Sequence, residues 1–494
     1  MDRENYILTI INDYCLGGDS FITTDKLFSL CQKAISGLTY EAFCAELIIE
    51  SNDKLIYIDS NHIYSYLTWR YECSAAENLE KLILDNSFAC SCNTNSFENL
   101  SPDQREALIM ALKHRLSLIL GGAGSGKTTL ISAIVDAASV GNNYVLCAPT
   151  GKAARNLTER TGLIARTVHS ALGKAPNEDF LDAVRWEYTQ LVIVDEASMM
   201  SLEMLSGILN RISKDCRVVL IGDPNQLLSV GAGDVLNDLI SLGFPCYTLT
   251  KNHRLSSNDN ALAHNVLNFP ALQSVLDLKE DVSFVIIEKD NNTSYSSAAI
   301  DAAQRYLNGE SVQVLSPYKK AVQDLNKMIQ DRVNIFYDGQ RTFENRKTLF
   351  RDGDRVLITE NDRDRKVVNG DIGILRILSD TDEHFEFCVE MSDGRKAIWN
   401  YPESYSGKDK ISLAYAMTVH RSQGSEYDTI ILPLTMDRQM MLYRNLFYTA
   451  ISRAKCRVII YGTKQAADIC IKHIQSKRKS KLVERVNTLL RSIA

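Results

Sequence analysis

Hydrophobic residues follow a regular alternation along much of the chain. From residue 96 onward, short apolar runs of strand length are separated by amphipathic stretches of helical period. This alternation predicts a parallel sheet with helices on both faces. The runs of the first such region, which we assign to residues 96–250, are LSLIL at 116–120, YVLCA at 144–148, LVIVD at 191–195, RVVLIG at 217–222 and CYTL at 246–249.

A second set of apolar runs predicts another α/β domain, over residues 251–345 and 411–475. Its strands are VQVLS at 312–316, DTIILP at 428–433 and RVIIYG at 457–462. Between the two parts of this domain, residues 346–410 change to short strands and turns. That change indicates a small all-β insertion.

The two ends of the chain follow different patterns. Residues 1–95 carry helical patterns around one extended patch at 55–67, which outlines a winged-helix-like module, and the polar stretch 87–103 indicates a linker. Such modules bind DNA about as often as they bind proteins, so the presence of one here indicates no particular function. Residues 476–494 are predicted to be a basic tail, and a solvated helix face is favoured over a phosphate contact for residues 472–486.

Composition limits the class of protein. The chain has 494 residues, of which 45% are hydrophobic and 23% charged, which suits several globular domains and excludes wholesale disorder. The apolar runs are too short to cross a bilayer and the charged N-terminus lacks a secretory signal, so we expect a cytoplasmic protein without a membrane partner. The net charge of −6 requires any nucleic-acid groove to be a local feature.

The chain contains 12 cysteines, scattered along its length. Reduced and mostly buried thiols are the favoured interpretation for an intracellular protein. Cys90 and Cys92 stand close together, and a metal or redox role for that pair stays open as the alternative.

The strongest chemical signal is a glycine-rich loop that follows an apolar strand and opens a helix. It fits the pattern G-x-x-x-x-G-K-[ST], whose backbone N–H groups surround the phosphates of a nucleotide. Lys127 would reach the β- and γ-phosphates, and the Thr128 hydroxyl would bind Mg²⁺. The nucleotide-binding residues predicted here are Gly122, Gly124, Ser125, Gly126, Lys127, Thr128 and Thr129.

Two further strand ends carry polar residues suited to triphosphate hydrolysis. Asp195 ends the run LVIVD and Glu196 follows it; the first carboxylate would join Thr128 in holding Mg²⁺, and the second would polarise the attacking water. Gln226 follows the strand that ends at Gly222 and could sense the γ-phosphate. Taken alone, each of these segments also fits an ordinary solvated turn, and their order after the glycine-rich loop favours the catalytic interpretation.

At this point the chain, from about residue 97 to 465, resembles the superfamily 1 helicases and in particular the RecD-like group, to which the exodeoxyribonuclease V alpha subunit belongs. The resemblance rests on segments in the family's order: LSPDQREAL at 100–108, CAPTGKAARNL at 147–157, ARTVHSAL at 165–172, LTKNHRL at 249–255, VLSPYKKAVQDLN at 314–326, GDRVLITENDRDRKVVNGDIG at 353–373, LAYAMTVHRSQGSEYD at 413–428 and LFYTAISRAKCRVIIYG at 446–462.

The resemblance implies two tandem RecA-like motor domains, with an SH3-like β insertion in the second. It also implies roles for individual residues. Gln104, Gly424 and Glu426 would contact the nucleotide, and Arg254 and Arg453 would neutralise charge on the γ-phosphate. A short hairpin at 173–190, with Phe180 and Trp186 as tip or packing residues, would stand where the family separates strands. The DNA-binding set would be Thr150, Lys152, His169, Asn369, Thr418, His420 and Arg421.

The expected function is an ATP- and Mg²⁺-dependent helicase or translocase that moves 5′ to 3′ on single-stranded DNA. Its nucleic-acid partners would be single-stranded DNA and duplex with a single-stranded tail. One alternative is the motor subunit of a larger DNA repair or defence complex, which translocates but unwinds poorly alone. A nucleotide-binding DNA scaffold or switch is the alternative from another class, and the intact phosphate-handling residues argue against it.

Overall fold

The computed structural model describes residues 5–88, 99–122, 124–174, 184–250, 284–345, 348–362, 364–381, 384–402, 410–436, 441–475 and 477–493. The chain forms two compact units. Unit 1 consists of Met1–Pro149, Leu157–Lys251 and Ser476–Ala494, and unit 2 consists of Thr150–Asn156 and Asn252–Gln475. The predictions made for Cys90, Cys92, Phe180 and Arg254 lie outside the described residues.

The N-terminal part of unit 1 has the helix–strand–helix–helix–hairpin order of a winged helix, in agreement with the predicted module. Its elements are α1 (Tyr6–Cys15), β1 (Ile22–Thr23), α2 (Thr24–Ala34), α3 (Tyr40–Asn52), β2 (Ile56–Asp59) and β3 (His62–Ser65), with strand order β1-β3-β2. The buried Glu50 carboxylate accepts hydrogen bonds from the N–H groups of Ile7 at 3.0 Å and Leu8 at 2.8 Å. It thereby satisfies two of the free donors at the start of α1.

The main body of unit 1 is a parallel sheet in the order β6-β5-β7-β8-β4-β9. Strands β4, β7 and β8 are buried on both faces, which explains their continuous apolar sequences. The sequence did not predict the short, half-exposed β6. The elements are α4 (Tyr66–Leu84), α5 (Pro102–Lys113), β4 (Leu116–Leu120), α6 (Lys127–Ala138), β5 (Tyr144–Ala148), α7 (Gly151–Thr161), β6 (Ala165–Thr167), α8 (Val168–Ala171), β7 (Leu191–Val194), α9 (Leu202–Leu209), β8 (Arg217–Gly222), α10 (Val235–Ser241) and β9 (Cys246–Thr248). Of α7, only the part from Leu157 onward is counted in unit 1, and the residues before it are counted in unit 2.

Unit 2 is built on a second parallel sheet, in the order β10-β21-β20-β11-β19. Strands β11, β20 and β21 match the three predicted runs, whereas β10 and β19 were not predicted. The elements outside the insertion are β10 (Phe284–Glu288), α11 (Asn291–Leu307), β11 (Val312–Ser316), α12 (Lys319–Val333), β19 (Ala416–Thr418), β20 (Tyr427–Leu434), α13 (Arg444–Ile451), β21 (Ala454–Gly462) and α14 (Lys464–Lys472).

The β insertion of unit 2 is a hairpin followed by an antiparallel sheet in the order β17-β16-β15-β14-β18. Stacked rings of Phe387 and Trp399, 5.1 Å apart, lie in its core. The strands begin and end slightly outside the predicted range of 346–410. They are β12 (Thr342–Asn345), β13 (Thr348–Arg351), β14 (Arg355–Ile358), β15 (Ile372–Thr381), β16 (His384–Met391), β17 (Lys396–Pro402) and β18 (Ile411–Leu413).

A buried carboxylate joins this insertion to the rest of unit 2. Asp354, fully buried, accepts hydrogen bonds from the Gln330 amide at 2.6 Å, the Asn334 amide at 2.8 Å and the Tyr415 hydroxyl at 3.0 Å. Burial raises the pKa of Asp354, and these donors oppose the rise by stabilising its ionised form. The insertion is therefore held by polar contacts as well as by its aromatic core.

The C-terminal segment packs into unit 1. Helix α15 (Leu482–Ile493) buries Leu482 and Val486 completely, and the Nε of Arg485 donates to the Glu72 carboxylate at 2.9 Å. Glu72 lies on α4 with 0% of its side chain exposed. The expectation of a solvated helix face was therefore wrong for residues 482–486, because a buried carboxylate requires a cationic partner and Arg485 supplies it. Lys472, Lys477 and Lys479 of the same segment are exposed.

The helices of the described residues include none that is both long and apolar enough to span a membrane. The cysteines within the described ranges are unpaired thiols, of which Cys31, Cys147, Cys216, Cys388 and Cys470 are buried.

Substituting Arg485 by leucine is expected to destabilise unit 1 by about 3–5 kcal/mol, because it leaves Glu72 buried without its ion-pair partner. The free energy of unfolding in urea measures this loss. The double substitution Glu72→Leu with Arg485→Leu removes both charges and should recover most of the lost stability. A double variant as unstable as Arg485→Leu would contradict the ion-pair explanation.

Candidate nucleotide and nucleic-acid sites

The glycine-rich loop connects β4 to α6 in unit 1. Gly124 and Gly126 adopt left-handed backbone angles, with φ of 80° and 79°. At Gly121 a Cβ atom would lie 2.5 Å from the Ser125 hydroxyl oxygen. Glycine is thus required for this tight curl, which ends at the first turn of a helix, where free N–H groups favour an anion.

The Lys127 side chain lies inside that curl. Its Nζ donates to the carbonyl oxygens of Gly121 at 2.6 Å and Gly122 at 2.9 Å. The Ser125 hydroxyl donates to the same Gly122 carbonyl at 3.0 Å. Thr128 is half-buried and Thr129 is exposed on the first turn of α6. The loop therefore places a cation and hydroxyl groups around one concave turn.

Gln104 braces the loop from α5. Its amide nitrogen donates to the Gly126 carbonyl at 3.3 Å, and its amide oxygen accepts from the Ser101 N–H at 3.0 Å. The second bond belongs to a capping box at the start of α5. The residue expected to contact the nucleotide is thus next to the phosphate loop and also stabilises a helix terminus.

Asp195 and Glu196 follow β7 at the same edge of the sheet. The Asp195 N–H donates to the Cys147 carbonyl at 2.9 Å, and the Glu196 N–H donates to the Asp195 carboxylate at 2.9 Å. Burial, together with the Glu196 carboxylate, raises the pKa of Asp195 to about 6, whereas Lys127 and Arg160 act in the opposite direction. The charges of Glu196 and of the loop lysine, Lys127, therefore both act on the Asp195 carboxylate.

Glu196 has an unusual backbone. Its φ of 53° lies in the left-handed region that residues other than glycine rarely adopt. Such strain costs about 1–2 kcal/mol and tends to occur at functional sites.

Gln226 follows β8, the strand beside β4. The Gly121 N–H donates to the Gly222 carbonyl at 3.0 Å, which joins the end of β8 to the start of the phosphate loop. The Gln226 N–H donates to the Asp223 carbonyl at 3.1 Å, and both side chains are 2% exposed. The structure thus brings the predicted residues of unit 1 to one edge of the sheet, from Gln104 and Lys127 to Gln226.

Other predicted nucleotide residues lie in unit 2. Arg453 is buried, and in the chain it lies between the end of α13 and the start of β21. Its side chain donates to the Ser452 hydroxyl at 3.2 Å, and its carbonyl accepts from the Tyr427 N–H at 2.9 Å. Gly424 has a φ of 74°, and Glu426 is half-buried.

A polar cluster in unit 2 contains several of the predicted DNA-binding residues. The Lys152 Nζ donates to the Gly370 carbonyl at 3.2 Å, beside Asn369, whose N–H donates to the Asn361 amide oxygen at 2.8 Å. The Thr150 hydroxyl accepts from the Ala153 N–H at 3.3 Å. Thr150, Lys152 and Asn369 are therefore neighbours, as a shared phosphate-binding surface would require.

The remaining DNA-binding candidates are distributed as follows. Thr418 ends β19, and its hydroxyl accepts from the Arg421 N–H at 3.3 Å. The Arg421 side chain is exposed, whereas His420 is half-buried. His169 lies on α8 and belongs to unit 1, whereas the other DNA-binding candidates belong to unit 2.

Trp186 does not stand at a hairpin tip. It begins a short 3₁₀ helix over Trp186–Tyr188, and its indole N–H donates to the Ala171 carbonyl at 3.1 Å. Its ring packs against the core of unit 1. Of the two roles expected for this tryptophan, the structure supports packing.

Sequence reasoning missed several charged residues near these sites. Arg160 influences Asp195 from α7, and Arg155, on the same helix, forms a close ion pair with Asp371. Asp223 is buried at the end of β8. A strand-end Gly-Asp pair was a usable signal for Asp223, whereas the two arginines depend on contacts between distant segments.

A phosphate-binding loop at the edge of one parallel sheet, followed by a second parallel sheet with a β insertion, defines the class of P-loop proteins with two tandem RecA-like domains. Family models agree. An AAA domain model matches residues 99–288, an ATP-dependent RecD-like DNA helicase SH3 domain model matches 325–390, and a UvrD-like helicase C-terminal domain model matches 413–461.

Among curated proteins, the ATP-dependent RecD2 DNA helicase of Deinococcus radiodurans is 34% identical over 402 residues, covering 79% of this chain and 53% of that protein. The RecBCD enzyme subunit RecD of Mycolicibacterium smegmatis is 30% identical, covering 73% of this chain and 71% of that protein. The chain belongs to the RecD-like family of superfamily 1 DNA helicases. It spans about half the length of the Deinococcus relative.

A solved structure supports the fold. The Pif1 helicase from Bacteroides, in complex with ADP-AlF3 and ssDNA, superposes with a TM-score of 0.50 at 19% identity. The match covers 80% of this chain and 97% of that one. At this identity the likeness concerns the arrangement of helices and strands.

Replacing Glu196 by glycine is expected to raise the free energy of unfolding by about 0.5–1 kcal/mol, because glycine adopts the left-handed angle without steric cost. The gain is smaller than the full strain energy, because glycine also gives the unfolded chain more conformational freedom. Thermal melting measures the change. The matched variant Glu196→Gln keeps the strained backbone and should melt like the wild type. A lower melting temperature for Glu196→Gly than for Glu196→Gln would contradict the strain argument.

The affinity for single-stranded DNA is expected to fall as the pH rises through 8. Burial lowers the pKa of Lys152 to about 8, with Arg355 and Arg155 acting in the same direction and Asp371 opposing. The charged lysine binds a phosphate more tightly than the neutral amine does, so each pH unit above this pKa costs at most about 1.4 kcal/mol, or tenfold in affinity. Fluorescence anisotropy between pH 7 and 9.5 measures the effect.

The Lys152→Arg variant provides the control, because a guanidinium stays charged over this range. Its affinity should change less with pH than that of the wild type. Equal pH slopes for the two proteins would exclude Lys152 as the titrating contact.

Proposed function

We propose that this chain is an ATP-driven motor that moves 5′ to 3′ on single-stranded DNA and unwinds duplex ahead of it. The observation that carries the proposal is the convergence of Lys127, Asp195, Glu196 and Gln226 at one edge of the unit 1 sheet, in a chain of the RecD-like family. ATP is the substrate.

Each residue at this edge has a chemical role in the proposed hydrolysis. The Lys127 ammonium, held in the loop by carbonyl oxygens, exchanges them for β- and γ-phosphate oxygens. Glu196 accepts a hydrogen bond from the attacking water and aligns it with the γ-phosphorus. Gln226, fixed beside Asp223, responds to the presence of the γ-phosphate.

A magnesium ion fits the donor set at this edge. Thr128 offers a hydroxyl and Asp195 a carboxylate, and both side chains are half-buried. Oxygen donors of this kind, with bound waters and phosphate oxygens, are the ligands that Mg²⁺ prefers. When bound, the ion would neutralise charge on the β- and γ-phosphate oxygens.

Residues of unit 2 complete the proposal. Arg453, together with Arg254, supplies the cationic groups that neutralise the γ-phosphoryl charge. Thr150, Lys152, Asn369, Thr418, His420 and Arg421, with His169 of unit 1, contact the sugar–phosphate backbone. Hydroxyl, amide and a few cationic groups suit a track that follows phosphates without reading sequence.

A second candidate function is the motor subunit of a larger repair or defence complex. It is favoured by the mycobacterial relatives, which are RecBCD enzyme subunits. Such a subunit would translocate and hydrolyse ATP on single-stranded DNA but would depend on partners for unwinding.

We expect single-stranded DNA to stimulate ATP turnover, and duplex with a 5′ tail to be unwound in preference to duplex with a 3′ tail. Steady-state turnover and strand displacement measure the two activities in the same preparation. Lys127→Ala should abolish turnover without lowering the melting temperature, because the lysine is needed for phosphate charge and not for the core.

The outcomes separate the candidates. Stimulated turnover with unwinding of 5′-tailed duplex supports the self-sufficient motor, whereas stimulated turnover without unwinding supports the dependent subunit. ATP turnover that no nucleic acid changes would contradict both.

A further inference from the structure

The loop that follows Gln226 is held by an arginine from the far end of the chain. The Arg478 guanidinium donates from Nη1 to the Ser229 hydroxyl at 2.8 Å and to the carbonyl oxygens of Gly231 at 3.0 Å and Gly233 at 2.8 Å. Its Nη2 donates to the Ser229 carbonyl. One planar cation thus binds three backbone carbonyls of a five-residue loop, which a lysine could not do with the same geometry.

The guanidinium also lies against Gly18 in the N-terminal module. Gly18 has a φ of 101°, and a Cβ atom there would lie 2.1 Å from the Arg478 Cζ. The Gly233 N–H donates to the Gly18 carbonyl at 2.8 Å. Glycine is therefore needed at position 18 both for its backbone angle and for the space that Arg478 fills.

The backbone beside Arg478 is also fixed. The Lys479 N–H donates to the Asp19 carboxylate at 2.8 Å, and the Ser20 N–H donates to the Lys479 carbonyl at 2.7 Å. We call these three segments, Gly18–Ser20, Ser229–Gly233 and Arg478–Lys479, the Arg478 junction. All of them belong to unit 1.

The junction fixes the far end of the loop that begins at Gln226. At its near end, Gln226 is held by the Asp223 carbonyl, and Gln226 and Leu227 are buried, with 2% and 1% exposure. At its far end, Gly233 precedes the helix α10. The loop after Gln226 is thus bound at both ends, and Arg478 binds its far end.

The C-terminal segment is attached to the core of unit 1 by contacts other than those of Arg478. Leu482, Val486 and the Arg485–Glu72 ion pair already attach α15 to unit 1. Within residues 229–233, Val230 is 60% exposed, so this segment contributes little buried apolar area, whereas Leu227 at the near end of the loop is buried. Removing Arg478 should therefore loosen the loop far more than it lowers the stability of the unit.

We propose that Arg478 is a positioning residue for ATP hydrolysis, which holds the loop after Gln226 so that the Gln226 amide stays in place for the γ-phosphate. This inference rests on the proposed function. A displacement of a catalytic group by about 1 Å can cost on the order of 100-fold in rate. Loss of the junction should thus lower kcat for ATP and leave nucleotide affinity, which depends on the phosphate loop, nearly unchanged.

The test uses the full chain and compares Arg478→Ala with Gly18→Ala, which disturb the junction from opposite sides. For each variant, kcat and KM for ATP are measured with saturating single-stranded DNA, ADP affinity is measured by titration, and the melting temperature is recorded. We expect kcat to fall by about 10- to 100-fold in both, ADP affinity to change by less than about twofold, and Arg478→Lys to be intermediate.

Matched controls are available in the same regions. Gly37 also has a left-handed φ, of 78°, but a Cβ atom there would meet nothing within 4 Å. Gly37→Ala therefore reproduces the backbone cost of Gly18→Ala without the clash. Lys477→Ala removes an exposed cation from the residue next to Arg478. Both controls should keep kcat within about twofold of the wild type.

Three results would overturn the inference. One is a kcat in folded Arg478→Ala and Gly18→Ala equal to that of their controls. Another is a loss of kcat that is fully explained by the fraction of unfolded protein, or a failure of both variants to fold. Either outcome would mean that the junction stabilises the fold and does not position Gln226. The third is wild-type turnover no higher than that of Lys127→Ala, which refutes the proposed function and this inference with it. In the first two cases the wild type still hydrolyses ATP, so the failures are distinguishable.

Discussion

The candidate site depends on one geometrical constraint, which is that the carboxyl ends of neighbouring parallel strands meet at the same edge of a sheet. Strands β7, β8 and β4 are adjacent, with Val194 paired to Leu220 and Leu120 to Gly222. The residues that follow these strands, among them Gly121, Asp195 and Asp223, are therefore brought together although they are far apart in the chain. Hydrogen bonding along the sheet sets their spacing, and the apolar strands exclude water from beneath them.

Local features of the sequence were sufficient to predict this edge. The strand runs of β4, β5 and β8 were predicted at their observed ends, because a strand buried on both faces carries an uninterrupted apolar run between polar turns. The glycine-rich loop was equally visible, since its left-handed angles at Gly124 and Gly126 demand glycine. The strain at Glu196 was not visible, because nothing in a Glu residue signals a positive φ.

Elements that depend on distant partners were not predictable in the same way. Strands β6 and β19 have three residues each, too few for a hydrophobic period to be recognised. Gln104 was expected at the nucleotide, and the sequence could not reveal that its amide also closes a capping box and reaches Gly126. The contacts of Arg478 with Gly18 and the 229–233 loop likewise join segments whose sequences contain no mutual signal.

The basic C-terminal segment illustrates why charge in a sequence is an ambiguous sign of a nucleic-acid partner. The guanidinium groups of Arg478 and Arg485 donate to the 229–233 loop and to Glu72 within unit 1, so their charge is used inside the protein. A fully buried carboxylate such as Glu72 requires this neutralisation, whereas a phosphate backbone accepts cations without burying them. In an acidic chain, the positive charge available to a nucleic acid is therefore smaller than the count of lysine and arginine suggests. This is why the proposed DNA contact is assigned to the polar cluster around Lys152 and Asn369 and not to the basic segment.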